Sequence, residues 1–300
     1  MDIGDCEPVE GTDDVYCIDM GGYGAPRTVS VFVVDAEAPA VVDTGMGRNY
    51  EFVLDALADL GIAPEDLAYV LPTHVHLDHA GGAGYLAEAC PNADVLVHEV
   101  GARHLVDPER LVAGTREAVG DRWQYYDPPM PIPAERITEL TDGDGIDLGD
   151  RELAVHHAPG HAPHQVVFFE PDQRVLFSAD AAGMYVPEAD RVVPTTPPPN
   201  FDLEQCLTDI EMLESLHPAT ICYGHFGGIP ADGRLAEAAT VLEEWVDSVA
   251  AARAATDSDR AAIERLVEAS DLDSFWSDEK AHSEVDMNAR GVIRYLDTRA

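Results

Sequence analysis

The chain has 300 residues, and its 46% hydrophobic content is typical of a globular protein with a buried core. Asp and Glu number 57 against 18 Lys and Arg, so the formal net charge is −39. This balance excludes the basic surface that nucleic-acid binding needs. The acidic residues are spread along the chain and Lys280 is the single lysine, which predicts a halophilic cytoplasm rather than a local acidic surface for a basic partner.

The first third of the chain predicts short strands and one clear helix. Apolar runs rich in β-branched residues predict strands at residues 29–34, 40–42, 69–72 and 95–98. Apolar residues at helical spacing predict a helix over residues 51–60 that ends at Gly61. Gly81-Gly82 allows the helix that follows to pack closely.

A turn at residues 140–145 opens a second strand-rich half, which extends from about Ile146 to His225. Within it, residues 184–201 contain five prolines and predict a long loop that either covers a binding site or forms a rigid surface connection. Tyr185 and Phe201 are its candidate pocket residues.

After residue 230 the composition changes to that of helices. Residues 234–254 carry apolar side chains at helical spacing, and the pattern continues through 261–269 to 291–296. The predicted organisation is therefore a catalytic domain over residues 1–230 and a helical region over 231–300. That region either shapes a pocket or forms a homodimer contact.

The cysteine content and the chain's start indicate the compartment. The five cysteines form an odd set without a Cys-x-x-Cys pair, which favours a reducing cytoplasm. The first residues include Asp2, Asp5 and Glu7 and lack an apolar run, so no secretory signal is predicted. No segment approaches the roughly 18 apolar residues of a membrane span.

The segment Thr73-His74-Val75-His76-Leu77-Asp78-His79 is the most informative motif in the chain. Side chains alternate along extended backbone, so His74 and His76 project the same way, and Asp78 and His79 then turn toward a second nearby point. Imidazole and carboxylate ligands at this density favour zinc, iron or manganese over calcium or magnesium. One short segment thus predicts ligands for two adjacent metals.

The spacing His-x-His-x-Asp-His resembles the metallo-β-lactamase superfamily, and further matching elements occur in the family's order. They are Asp43-Thr44-Gly45, Pro159-Gly160-His161, Asp180 after the apolar run 175–179, and His225 within a Gly-His-Phe-Gly turn. The resemblance covers roughly residues 14–230 and is to glyoxalase II-like members with two metals; together with the acidic composition it implies a halophilic archaeon as the source. It implies an α/β fold, a four-layer αβ/βα sandwich with the metals at one edge.

The resemblance also implies a ligand set and a reaction. It assigns His74, His76 and His161 to a first metal, Asp78, His79 and His225 to a second, and Asp180 to the position between them. Two divalent ions, most simply zinc, would activate a bridging hydroxide that cleaves a thioester, lactone or related ester. Asp78 and Asp180 are then the catalytic carboxylates. Asp43 is expected to orient ligand histidines, and His164 to contact substrate, support a ligand or act structurally.

Other functions remain open at this point. A persulfide dioxygenase would need one iron, held by His74, His161 and Asp180. A non-catalytic metal-binding module is the alternative of another class. A nuclease is disfavoured because no basic patch is visible, and a flavodiiron reductase because His76 stands where that family needs glutamate. The basic residues that would recognise glutathione cannot be placed from the sequence.

Overall fold

The computed structural model describes residues 1–299 and contains two large β-sheets with helices on their outer faces. The strands are β1 (Cys6–Pro8), β2 (Val15–Asp19), β3 (Ser30–Val34), β4 (Ala40–Val42), β5 (Tyr69–Leu71), β6 (Asp94–His98), β7 (Ile137–Leu140), β8 (Gly145–Asp147), β9 (Glu152–His157), β10 (Val166–Glu170), β11 (Val175–Ala179), β12 (Met184–Val186), β13 (Arg191–Val193), β14 (Thr220–Tyr223) and β15 (Gly227–Pro230). The helices are α1 (Glu51–Asp59), α2 (Leu77–Ala80), α3 (Ala83–Ala89), α4 (Glu99–Val106), α5 (Glu109–Val119), α6 (Leu203–Ser215), α7 (Arg234–Ala254), α8 (Asp259–Ala269) and α9 (Asp278–Arg299). No helix in the described part of the chain is both long and apolar enough to cross a membrane.

The two sheets divide the chain near residue 142. The first sheet contains β1 to β7 in sequence order, antiparallel as far as β4 and parallel from β4 to β7. The second has the order β15-β14-β11-β10-β9-β8, and its β11 and β14 are parallel. The predicted pairing of β3 with β4 is confirmed, with Phe32 opposite Val42.

Side chains alternate between the two faces of each sheet, which explains why the two sheets and their helices form four layers. On β3, Phe32 and Val34 belong to the core between the sheets, whereas Val31 and Val33 pack under the helices of the first half. This is the two-residue periodicity of a strand that is buried on both faces. The second sheet shows the same alternation. The layers are therefore ordered helix, sheet, sheet and helix, which confirms the predicted αβ/βα sandwich.

The C-terminal helices share a core with the outer face of the second sheet. Leu176 on β11 and Tyr223 on β14 pack in the same cluster as Leu242 and Val246 on α7 and Val292 on α9. Helix α7 occupies the predicted residues. Helix α9 begins well before the predicted 291–296, because charged and polar residues in its first half hid the helical periodicity.

Residues 184–201 are not one long loop, which corrects the prediction. Strands β12 and β13 form an antiparallel hairpin with Met184 opposite Val193. The prolines at 187 and 194 lie just outside the two strands, where a missing N–H does not interrupt the pairing. The irregular part is therefore the shorter segment after Val193.

Gly291 on α9 allows that helix to approach the segment after β13. A Cβ built on Gly291 would lie 1.8 Å from the Thr196 carbonyl oxygen. Gly291→Ala should therefore lower the free energy of unfolding by about 1–3 kcal/mol through overpacking. Gly114→Ala in α5 is the matched control because a Cβ there meets no atom within 4 Å. It should stabilise by up to about 1 kcal/mol through helix propensity. Urea unfolding midpoints measure both, and equal midpoints would contradict the packing argument.

Candidate metal centre

The candidate ligands lie where strands end at a common edge of the sandwich. His74 and His76 follow β5, and Asp78 and His79 lie in the short helix α2. His161 lies between β9 and β10, while Asp180 and His225 follow the parallel strands β11 and β14 closely. The carboxyl ends of parallel strands meet at the same edge, so the topology brings distant residues together.

The ligand atoms form two groups. His74, His76, His161 and Asp180 offer atoms that all lie within 4.8 Å of one another, and so do Asp78, His79 and His225. His76 Nδ1 lies 3.0 Å from His74 Nε2 and 3.1 Å from His161 Nε2. In the second group, His79 Nε2 lies 3.2 Å from His225 Nε2. Ligand atoms about 2.0–2.1 Å from a tetrahedral zinc are about 3.3–3.4 Å apart, so these spacings fit metal coordination.

Hydrogen bonds on the outer side of the rings determine which nitrogen faces inward. His225 Nδ1 donates to the Thr28 carbonyl oxygen at 2.6 Å, and His161 Nδ1 faces the Thr195 carbonyl oxygen at 3.4 Å. A carbonyl oxygen can only accept, so the proton is on Nδ1 and the lone pair is on Nε2 in each ring. Such outer contacts orient metal-binding histidines.

Asp43 anchors one histidine of each group. Its Oδ2 accepts from His79 Nδ1 at 2.8 Å, and its Oδ1 accepts from the Thr73 amide and hydroxyl, both at 2.8 Å. Because the Thr73 hydroxyl donates to Asp43, it accepts from His74 Nδ1, 3.2 Å away. One buried carboxylate thus controls the orientation of both rings.

Burial supplies unprotonated imidazole in the first group. Burial and neighbouring imidazoles hold the pKa of His74 and of His161 well below the ordinary value. Burial likewise lowers the pKa of His76 to about 4. These rings therefore present free lone pairs at neutral pH, the form in which histidine binds metals.

His79 differs because carboxylates surround it. Burial favours the neutral ring, but Asp180 and Asp43 outweigh it and raise the pKa of His79 to about 10. Metal binding at His79 would displace that proton, as binding to protonated ligands always does.

Asp180 lies between the two groups. Its Oδ2 is 3.1 Å from His161 Nε2, and its Oδ1 is 3.5 Å from both His79 Nε2 and His225 Nε2. Within residues 1–299, Oδ1 is buried without a hydrogen-bond partner. A buried carboxylate oxygen without a hydrogen-bond partner is costly unless a cation compensates it. The residues present therefore fit divalent metal ions.

A cavity of about 460 Å³ opens beside these residues. His76, Asp78, His161, Asp180 and His225 form part of its wall. Helices α4, α5 and α9 and residues 197–200 supply much of the rest. A small molecule in this cavity would contact the candidate metal centre directly.

Of the predicted substrate contacts, His164 lies in the cavity wall and the other two lie elsewhere. Phe201 is buried against Tyr295, with ring centroids 5.5 Å apart, because the chain turns into the C-terminal core there. The Tyr185 hydroxyl donates to Asp190 and its ring stacks on Tyr223. Within residues 1–299, neither Phe201 nor Tyr185 lines the cavity; the Tyr185 amide instead donates to the His225 carbonyl oxygen at 2.5 Å.

Sequence reasoning missed several residues of the cavity wall. Tyr23 has a left-handed backbone, φ 56°, and its hydroxyl lies 2.7 Å from that of Tyr126. Lys280 and Glu284 enter the wall from α9. The one available signal was that Lys280 is the single lysine in the chain.

Comparisons with known proteins agree with the fold. A family model of the Metallo-beta-lactamase superfamily matches residues 24–225. The metallo-beta-lactamase fold-containing protein ST1585 of Sulfurisphaera tokodaii is 26% identical over 71% of this chain and 78% of its own length. The crystal structure of ST1585 matches with a TM-score of 0.70 at 21% identity, over 94% of this chain and 99% of that one.

Two relatives have names that state a reaction. The acyl-coenzyme A thioesterase MBLAC2 of Gallus gallus is 31% identical over 55% of this chain and 62% of its own length. The N-acyl homoserine lactonase AttM of Rhizobium radiobacter is 26% identical over 57% of this chain and 63% of its own. The family match covers most of the chain, including every candidate metal ligand, and the chain therefore belongs to the metallo-beta-lactamase superfamily.

Proposed function

We propose that this protein is a hydrolase that uses two metal ions to cleave a thioester, a lactone or a related ester. The observation that carries the proposal is the position of Asp180, whose two oxygens face different ligand groups. In this proposal the first ion is held by His74, His76 and His161, the second by Asp78, His79 and His225, and Asp180 is shared. Zinc suits this nitrogen-rich set, and iron or manganese would also bind it.

The reaction follows from what the site can hold. When bound, two adjacent metal ions supply an activated water molecule and polarise a carbonyl oxygen. The chain's own residues would hold that pair at the cavity wall, where an ester in the cavity would lie beside it. No Ser or Cys nucleophile is required. The thioesterase and lactonase relatives support this class of substrate.

Elemental analysis of protein purified without chelator, followed by assays on acyl thioesters and lactones, tests the proposal. The composition favours a halophilic cytoplasm, so both steps belong in molar potassium chloride. Two metal ions per chain with ester hydrolysis would support it. One iron per chain with oxygen consumption on a persulfide would favour the dioxygenase, and bound metal without turnover of either class would favour a binding module.

His164 should affect substrate rather than metal. The Val75 amide donates to His164 Nδ1 at 3.4 Å. The His164 ring stacks over the His74 ring with centroids 6.1 Å apart. His164→Ala should leave the metal content unchanged and lower kcat/KM by about 10-fold, a loss equivalent to one hydrogen bond. Metal analysis and steady-state kinetics measure the two quantities. Loss of a metal ion would place His164 among the ligands instead.

A further inference from the structure

Lys280 is unusual because it is the single lysine in this chain. The other 17 of the 18 lysine and arginine residues are arginines. Ion pairs between helix residues four positions apart use arginine elsewhere, as in Arg260–Glu264 and Arg290–Asp286. Lys280 has the same spacing to Glu284, yet its side chain is only 9% exposed. A surface ion pair on a helix therefore does not account for a lysine at this position.

The side chain of Lys280 is held at the cavity wall by two contacts. Its Nζ lies 3.8 Å from the centroid of the Trp276 ring and 3.5 Å from Glu284 Oε2. Glu284 also accepts from Asn288 Nδ2 at 3.1 Å, so its charge is shared between two donors. An ammonium group has three N–H donors, and the Glu284 contact uses one of them. Donors therefore remain for a molecule in the cavity.

Both basic and acidic side chains lie near Lys280. Within residues 1–299, Arg122 and Lys280 are the two buried side chains among the arginines and the lysine, and they are close enough to interact electrostatically. The Nε and Nη1 atoms of Arg122 have no hydrogen-bond partner in the described chain. Glu284 compensates one of these two charges. Asp78, the other acidic neighbour of Lys280, is a candidate metal ligand.

We propose that Lys280 binds an anionic group of the substrate, a carboxylate or a phosphate, at a distance from the bond that is cleaved. This assignment rests on the proposed hydrolase function. Burial gives the contact a property that a surface arginine lacks. Salt at about 1 M screens exposed charges beyond about 3 Å, whereas buried charges are screened much less. A buried lysine thus keeps its attraction for an anion in concentrated salt.

The kinetic test compares two thioesters that differ in one charge. One carries a carboxylate on the thiol part, and the other carries the corresponding uncharged amide. Lys280→Met should raise KM for the charged thioester about 10- to 100-fold, the effect of one charge-assisted hydrogen bond, and leave the uncharged one unchanged. Lys280→Arg should restore part of the difference. Arg260→Met, which removes an exposed pair of the same spacing, is the control and should change neither KM.

Equal losses on both thioesters would assign Lys280 a structural role and overturn the proposal. A second measurement works even if Lys280→Met does not fold or no ester is hydrolysed. Protein made with lysine carrying ¹³C at Cε gives one lysine signal, because the chain has one lysine. Adding a non-hydrolysable thioether with a carboxylate should shift that signal, and the uncharged thioether should not.

The same spectrum separates the sources of the anion. A shift with inorganic phosphate and none with the carboxylated thioether would assign the site to phosphate. No shift with either anion would overturn the proposal. A shift without any ester hydrolysis would retain the anion site and reject the proposed hydrolase function, so the two failures are distinguishable.

Discussion

Asp180→Ala should lower ester hydrolysis by at least about a thousandfold, because it removes the carboxylate shared by the two ligand groups. Two nearby cations repel each other, and the shared carboxylate would offset this repulsion. Stabilising the two cations and the charge that develops in the reaction involves several kcal/mol. The variant should bind one metal ion or none. Elemental analysis and initial rates on the best thioester measure both effects.

Asp257→Ala is the control for that variant because Asp257 is exposed in the turn between α7 and α8. It should keep full activity and metal content. Normal turnover by Asp180→Ala with two ions bound would contradict the shared-carboxylate arrangement. Loss of activity with two ions still bound would leave the ions correctly placed and restrict Asp180 to the chemical step.

Asp43→Asn should weaken metal binding by about 10- to 100-fold with almost no change in side-chain volume. The amide oxygen can still accept from Thr73, and the amide nitrogen then faces His79 Nδ1. Two donors cannot face each other, so His79 would carry its proton on Nε2, the atom that faces His225. The lone pair needed for a metal is lost. Competition with a chelator measures the affinity.

Thr73→Val separates the two arms of the Asp43 network. It removes the hydroxyl that links His74 to Asp43 and leaves the contact between Asp43 and His79 unchanged. Metal binding by the group that contains His74 should therefore weaken, whereas Asp43→Asn should weaken binding by the group that contains His79. If both variants bound metal like the original protein, Asp43 would not orient the ligands.

The fold and the ligand groups could be predicted because their signals are local. Apolar runs identified β3, β4, β5 and β11 to within one residue, and the helical spacing of α7 was correct. The metal groups follow from short motifs at strand ends. Asp180 directly follows β11, so its position is fixed by the end of a buried strand. Their function as ligands stays a prediction until metal is measured.

The cavity wall could not be predicted because its members are far apart in sequence. Tyr23 contacts Tyr126 across 103 positions, and α9 comes close to Thr196 at Gly291, far from both in sequence. The sequence around Phe201 looks like an accessible loop, but the ring enters the C-terminal core. Such placements depend on how helices pack over the sheets, which periodicity within one segment does not determine.

The candidate metal ligands come from both halves of the chain, which links metal binding to the docking of the two halves. Residues 74–79 come from the first sheet, whereas His161, Asp180 and His225 come from the second. Neither half alone contains a complete ligand group, because Asp78 and His79 need His225 and the first group needs His161 and Asp180. Metal binding would therefore require that the two halves have docked, and bound ions would hold the halves together and make their separation cooperative.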